Sequence, residues 1–228
     1  MKKAAFLLLC GVLMAGVLSA QEERQITGED DLVQEKGPWA GTWIHPDADI
    51  TKYSKLYMWQ GVFDFREGGE KSSGTTARAM SGGQSGGYYI RDESKEKFKQ
   101  VFSDTVVKEL GRGKLFEVVD TVGPGTLLVR AGVLDIVSDV PPDATRRGDV
   151  YLSAVGSGVI FFELIDAETG VIQARIAERR TIQPQSRMHS VNTVPANANS
   201  VWMDVERWAR EQAQKLRKEL EKAKKKAE

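Results

Sequence analysis

The chain has 228 residues with 32 basic and 32 acidic side chains, long enough for one well-cored domain and too evenly charged for a general nucleic-acid binder. Without Lys2 and Lys3, which belong to the leader described next, 30 basic residues face 32 acidic ones. The single cysteine, Cys10, falls inside that leader. Disulfide stapling, thiol catalysis and cysteine–metal sites are therefore excluded for the remainder.

Residues 1–20 read as a secretory signal peptide. Met1-Lys2-Lys3 is followed by the apolar run Ala4 to Val17 and by Leu18-Ser19-Ala20, the order of charge, core and small residues that a signal peptidase requires, and cleavage is predicted after Ala20. An uncleaved anchor is the rival, but the run falls short of the ~20 residues needed to cross a bilayer. Leu7, Leu8 and Leu9 precede Cys10 and the apolar run continues past it, so lipidation there is not expected. The predicted destination is the periplasm, with outer-membrane association as the further option.

Residues 21–36 are polar and predicted to be loosely held. "GPWAGTWIHPDADITKY" favours turns through Pro38, Pro46 and its aspartates. "KLYMWQGVFDF" alternates as a strand, with Tyr57, Trp59, Phe63 and Phe65 predicted on one side and Leu56, Met58 and Val62 on the other. Residues 66–87 form a glycine-rich loop. Inside it Gly83-Gln84-Ser85-Gly86-Gly87 spells G-x-S-x-G, the pattern of a nucleophile elbow. An elbow needs a buried strand before Ser85 and a helix directly after it, and neither is legible. A triad also needs a histidine, and His45 and His189 both sit in turn-like sequence.

Asp92 is a predicted cap for a helix whose stripe is Phe98, Val101, Phe102, Val106 and Leu110, ended by Gly111 in a left-handed conformation. "LFEVVD" is a short strand. "TLLVRAGVLDIV" is a longer one broken by Gly132, a predicted bulge. Asp143 to Asp149 make a polar loop before an extended run from Val150. "GVIFFELIDAETGVIQARIAERRTI" is a hairpin around Asp166–Gly170, the strongest local signal in the chain. A last helix, capped by Asn199 or Ser200, carries Val201, Val205, Trp208, Leu216 and Leu220. From Glu206 to Glu228 there are nine basic residues against five acidic. This end is predicted to project and fray, a coiled coil being the rival reading.

The segments "WIHPDADITKYSKLYM", "FKQVFSDTVVKEL", "GTLLVRAGVLDI" and "FFELIDAETGVIQARIAERR" together resemble the bacterial envelope family called domain of unknown function 3313, many members of which are described as lipoproteins. The likeness covers roughly Ile26 to Arg210. It implies an exported α+β domain and supplies no activity, cofactor or catalytic residue. The absence of a lipobox cysteine departs from the lipoprotein pattern. The order of helix, strands, hairpin and terminal helix is also similar to small periplasmic adaptor domains.

Other chemistry is thinly represented. His45-Pro46-Asp47-Ala48-Asp49 offers an imidazole and two carboxylates for a metal, and reads equally as a turn with capping aspartates. Gly111-Arg112-Gly113 and Gly156-Ser157-Gly158 lack the rest of a nucleotide fingerprint. Glu163 and Asp166 would suit glycosidase chemistry only if they shared a cleft at the right separation. Trp39, Trp43 and Trp59 line a groove or, more commonly, a core. The expectation is one α+β domain over residues 37–213, an antiparallel or mixed sheet with helices packed against it and a charged helical tail over 214–228. It is expected to be exported, to use no cofactor or metal and to bind another envelope component. The alternatives are a small-ligand carrier, which needs an apolar pocket of several hundred Å³, and a serine hydrolase using Ser85.

Overall fold

The computed structural model describes residues 31–67, 87–141, 151–184, 194–195 and 198–227. Residues 1–30 with Cys10, most of the glycine-rich loop with Ser85, the Asp143–Asp149 segment and His189 lie outside the described residues.

The fold is α+β, as the sequence predicts. Its strands are β1 (Val33–Gln34), β2 (Gly41–Ile44), β3 (Lys55–Phe65), β4 (Glu117–Val119), β5 (Thr126–Ser138), β7 (Gly156–Asp166) and β8 (Ile172–Ile182), joined in one sheet of order β1-β2-β8-β7-β5-β3-β4. β6 (Tyr151–Leu152) and β9 (Val194–Pro195) form a separate short pair. β3 runs parallel to β4 and β5, and the other pairs of the large sheet are antiparallel. The β3–β5 connection carries α1 (Asp92–Leu110), the crossover that parallel neighbours need. The last element is α2 (Ala198–Ala227).

Both helices cover one face of the sheet. Phe63 of β3 meets Phe98 and Phe102 of α1 edge to face, and Phe102 in turn meets Trp208 of α2. Phe102, Val106, Leu127, Val129, Ile160, Phe162 and Leu216 are fully buried there. Each contributes about 1.5–3 kcal/mol relative to exposure. The hairpin forms as predicted: Gly170 has φ +72° and its amide donates to the Asp166 carbonyl at 2.9 Å, while Asp166 Oδ1 accepts the Glu168 and Thr169 amides.

Several local expectations are corrected. β3 does not keep one alternation, because the pairing with β5 advances three residues from Trp59 to Val62 against two from Arg130 to Gly132. That bulge reverses the strand's parity, so Phe63 and Phe65 join Leu56 and Met58 on the core side. A second bulge lies in β5 at Asp135, which has φ 52°. Gly132 is thus the partner of one bulge and a near neighbour of the other. At the start of α1 the cap position is Arg91, which makes no side-chain cap bond, and Asp92 lies in the first turn, paired with Lys95 at 2.9 Å. Gly111 is right-handed, with φ −65°. Asn199 and Ser200 lie within the first turn of α2.

The end of α2 does not project from residue 214 onward. Leu216 and Leu220 are buried, Arg217 donates to the buried Glu109 at 3.0 Å, and Lys224 donates to the Tyr53 carbonyl at 2.7 Å while lying over the Phe116 ring. The apolar stripe continues at helical spacing through this segment, and the lysine stems share in covering it.

Candidate functional site

The face of the sheet opposite the helices has none upon it among the described residues. Residues opposite one another in register point to the same side, and the register places Trp59, Arg130, Glu163, Arg175 and Trp43 in one row across β3, β5, β7, β8 and β2. Glu163 is 4 % exposed. Its two oxygens accept from Arg130 Nε at 2.5 Å and from Arg175 Nε at 2.7 Å. Arg130 in turn lies 5.6 Å from the Trp59 ring centroid, within cation–π range.

The next row is Val62, Gly132, Phe161, Ala177 and Gly41. Its glycines are places where rings lie down on the backbone. A Cβ on Gly132 would meet the Phe161 ring, and one on Gly41 would meet the Trp43 indole. Farther along, the bulge residue Asp135 repeats the pattern of the first row. Its carboxylate accepts from Arg66 Nε at 2.6 Å and from Arg179 Nη2. The hydrogen bonds from the Arg66 guanidinium hold the Asp135 carboxyl below the usual range, against an opposing effect of burial and with Arg179 adding to them. The result is a sheet face on which carboxylates are held between guanidiniums while Trp59 and Val62 stand 46 % and 43 % exposed. Glu163 and Asp135 are each paired with two guanidiniums, while Asp64 on the same face is exposed and accepts the Asp135 amide at 3.4 Å.

The sequence-predicted sites are dispersed. His45 Nδ1 accepts the Asp47 amide at 3.1 Å, and Asp49 Oδ1 accepts the amide and hydroxyl of Thr51 at the start of a single 3₁₀ turn, Ile50–Lys52. The hydrogen bonds from Thr51 hold the Asp49 carboxyl below its ordinary value. Among the described residues no three His, Cys, Asp or Glu side chains are grouped for a metal. Asp166 Oδ2 accepts from the Tyr53 hydroxyl at 2.7 Å. Glu163 and Asp166 are thus each committed to other partners. Of the tryptophans, Trp39 is core, packed edge-on against Phe162, and Trp43 and Trp59 belong to the helix-free face. Sequence reasoning missed Arg130, Arg175, Phe161, Asp135 and Arg179. For Arg130, Phe161, Arg175 and Arg179 the available signal was their place at every second position of long strands, whereas Asp135 breaks that alternation at the β5 bulge.

No family model and no curated protein matches the chain. Among solved structures it is similar to a PelC dodecamer from Paraburkholderia phytofirmans, at 12 % identity and a TM-score of 0.37, over 82 % of this chain and 95 % of that one. It is also similar to protein XCC0632 from Xanthomonas campestris, at 10 % identity and a TM-score of 0.42, over 76 % and 86 %. A third is the hypothetical protein CT253 from Chlamydia trachomatis, at 10 % identity and a TM-score of 0.37, over 74 % and 98 %. These likenesses are distant, and no statement about function follows from them. No helix among the described residues is long and apolar enough to cross a membrane.

Proposed function

We propose that this chain is an exported, non-enzymatic accessory protein of the cell envelope, periplasmic after cleavage behind Ala20, that acts by binding another envelope component. The order of charge, apolar core and small residues in 1–20 supports export. The observation that carries the binding role is the exposure of Trp59 and Val62 on one strand of the helix-free face, beside the cation-rich rows. Tryptophan and arginine are both enriched where proteins meet. The basic end of α2 is the weaker candidate. Its lysines surround the C-terminus of a long helix, where cations offset the helix dipole without any partner.

A photoreactive phenylalanine placed at position 59 in cells tests the reading. It is expected to give an adduct of discrete size that is absent when the probe stands at Met203, which is 62 % exposed on α2. No adduct at 59, or equal adducts at both positions, would count against it. Turnover by the purified chain that disappears in Ser85→Ala would replace binding by the hydrolase alternative.

A further inference from the structure

α1 and α2 run parallel. Lys97 lies over the Trp202 ring, Phe102 meets Trp208 and Glu109 meets Arg217, so residue numbers rise together along the two helices. Their starts therefore share one end of the domain, where β3 and β5 finish, β7 begins and β8 finishes. A cleft of about 290 Å³ opens there. Its floor is core: Phe98, Ile136, Val155, Ile182 and Val205 line it and are all buried. Its rim carries Arg91, Glu93, Ser94 and Ser138.

The cause of the gap is legible in α1. The helix opens Asp92-Glu93-Ser94-Lys95-Glu96-Lys97, and its first buried apolar side chain is Phe98. Nearly two turns of helix thus stand above the end of the sheet with no apolar side chain to fill the space beneath them. Close-packed interiors leave few voids larger than a water molecule, and an apolar space of this size is worth filling.

We propose that the cleft is a binding site for one short alkyl chain of an amphiphile, the tail lying on the aliphatic floor and the polar head at the rim. The size points to a single chain. An engineered apolar cavity of about 150 Å³ takes one benzene, and this cleft is roughly twice that, below the space a two-chain lipid needs. The buried part of the lining is valine, isoleucine and phenylalanine, which suits an alkyl chain, with the Tyr89 and Trp202 rings flanking it and Arg91, Glu93, Ser94 and Ser138 at the mouth. Recognition is then by exclusion of the tail from water, and the rim discriminates heads only weakly. This site is separate from the helix-free face and does not depend on the role proposed for it.

Sodium decanoate, kept below its micelle concentration, is the probe, and methyl NMR of the full chain is the first readout. Saturable one-to-one shifts are expected at Val201, Val205 and Ile182, with Ile165 on the other face unmoved. Ser94→Trp, which places an indole at the mouth, is expected to weaken binding at least tenfold, and Ser138→Phe serves as a second filling variant. Trp59→Ala is expected to leave the affinity unchanged. Shifts that do not saturate, shifts spread over both faces, or an affinity unaltered by both filling variants would overturn the proposal. So would a cleft already filled by another part of the chain, because decanoate would then not bind.

Discussion

The carbonyl oxygen of Val62 lies against Gly132, inside the 3.0 Å that real Cβ atoms keep from other atoms. The β3 bulge pushes this carbonyl toward β5, and the Phe161 ring closes the same space from β7, 2.5 Å from where a Cβ would stand. The absence of a side chain at position 132 is what lets the two strands keep their pairing while β3 changes parity. Gly132→Ala is accordingly expected to destabilise the fold by about 1–3 kcal/mol or more, since backbone on one side cannot yield. Urea denaturation with an unchanged m-value would measure it, and a loss under 0.5 kcal/mol would show that the bulge relaxes freely.

Glu163 is held by Arg130 and Arg175, with side-chain exposures of 33 % and 10 % for the two arginines. Removing one partner from a buried pair leaves the other charge uncompensated. Glu163→Gln is expected to cost about 3–5 kcal/mol. The double variant Glu163→Gln with Arg175→Met should recover part of that loss. A double-mutant cycle by chemical denaturation checks the coupling, and strictly additive losses would mean the row is not an electrostatic unit.

Tyr53 and Asp166 make the fold sensitive to pH at both ends. Burial pulls the Asp166 carboxyl upward, but the hydrogen bonds from Tyr53, Thr169 and Glu168 outweigh it and leave it below its ordinary value. A depressed carboxyl contributes stability that is present above its unfolded pKa of about 3.9 and is lost as pH falls through the folded value. Burial, aided by the bond to Asp166, raises the Tyr53 phenol, so its share is intact below its unfolded pKa of about 10 and is lost as pH rises through the folded value. Tyr53→Phe is expected to cost about 1–2 kcal/mol at neutral pH and to flatten both limbs. Denaturation midpoints measured from about pH 2 to about pH 12, which enters both limbs, would show it, and parallel curves for the two proteins would refute the linkage.

The last three turns of α2 should be indispensable up to Lys224. Leu216→Ala is expected to cost about 2–5 kcal/mol, and a chain ending at Ala213 should not fold, because it also loses Leu220 and the Arg217–Glu109 ion pair. Lys225→Ala and Lys226→Ala, at exposed positions, should change stability by no more than about 0.5 kcal/mol. Thermal unfolding of the four variants distinguishes a packed helix end from a frayed one.

Strand and helix periods, the Asp166–Gly170 hairpin and the α+β class were legible along the chain because each depends on neighbours within one or two turns of sequence. Where Phe63 and Phe65 point was not legible, because a single extra residue in β3 exchanges the two faces and that residue is admitted by Gly132, some seventy positions away. The row through Glu163 was equally hidden. Arg130, Glu163 and Arg175 are ordinary charged positions in alternating strands until the sheet order brings β5, β7 and β8 side by side. The same holds for the cleft, which exists because two helices start at one end of the sheet and one of them begins with six polar residues. Local sequence thus decided which elements form. Long-range pairing decided which side chains meet, since register and packing are properties of segments distant along the chain.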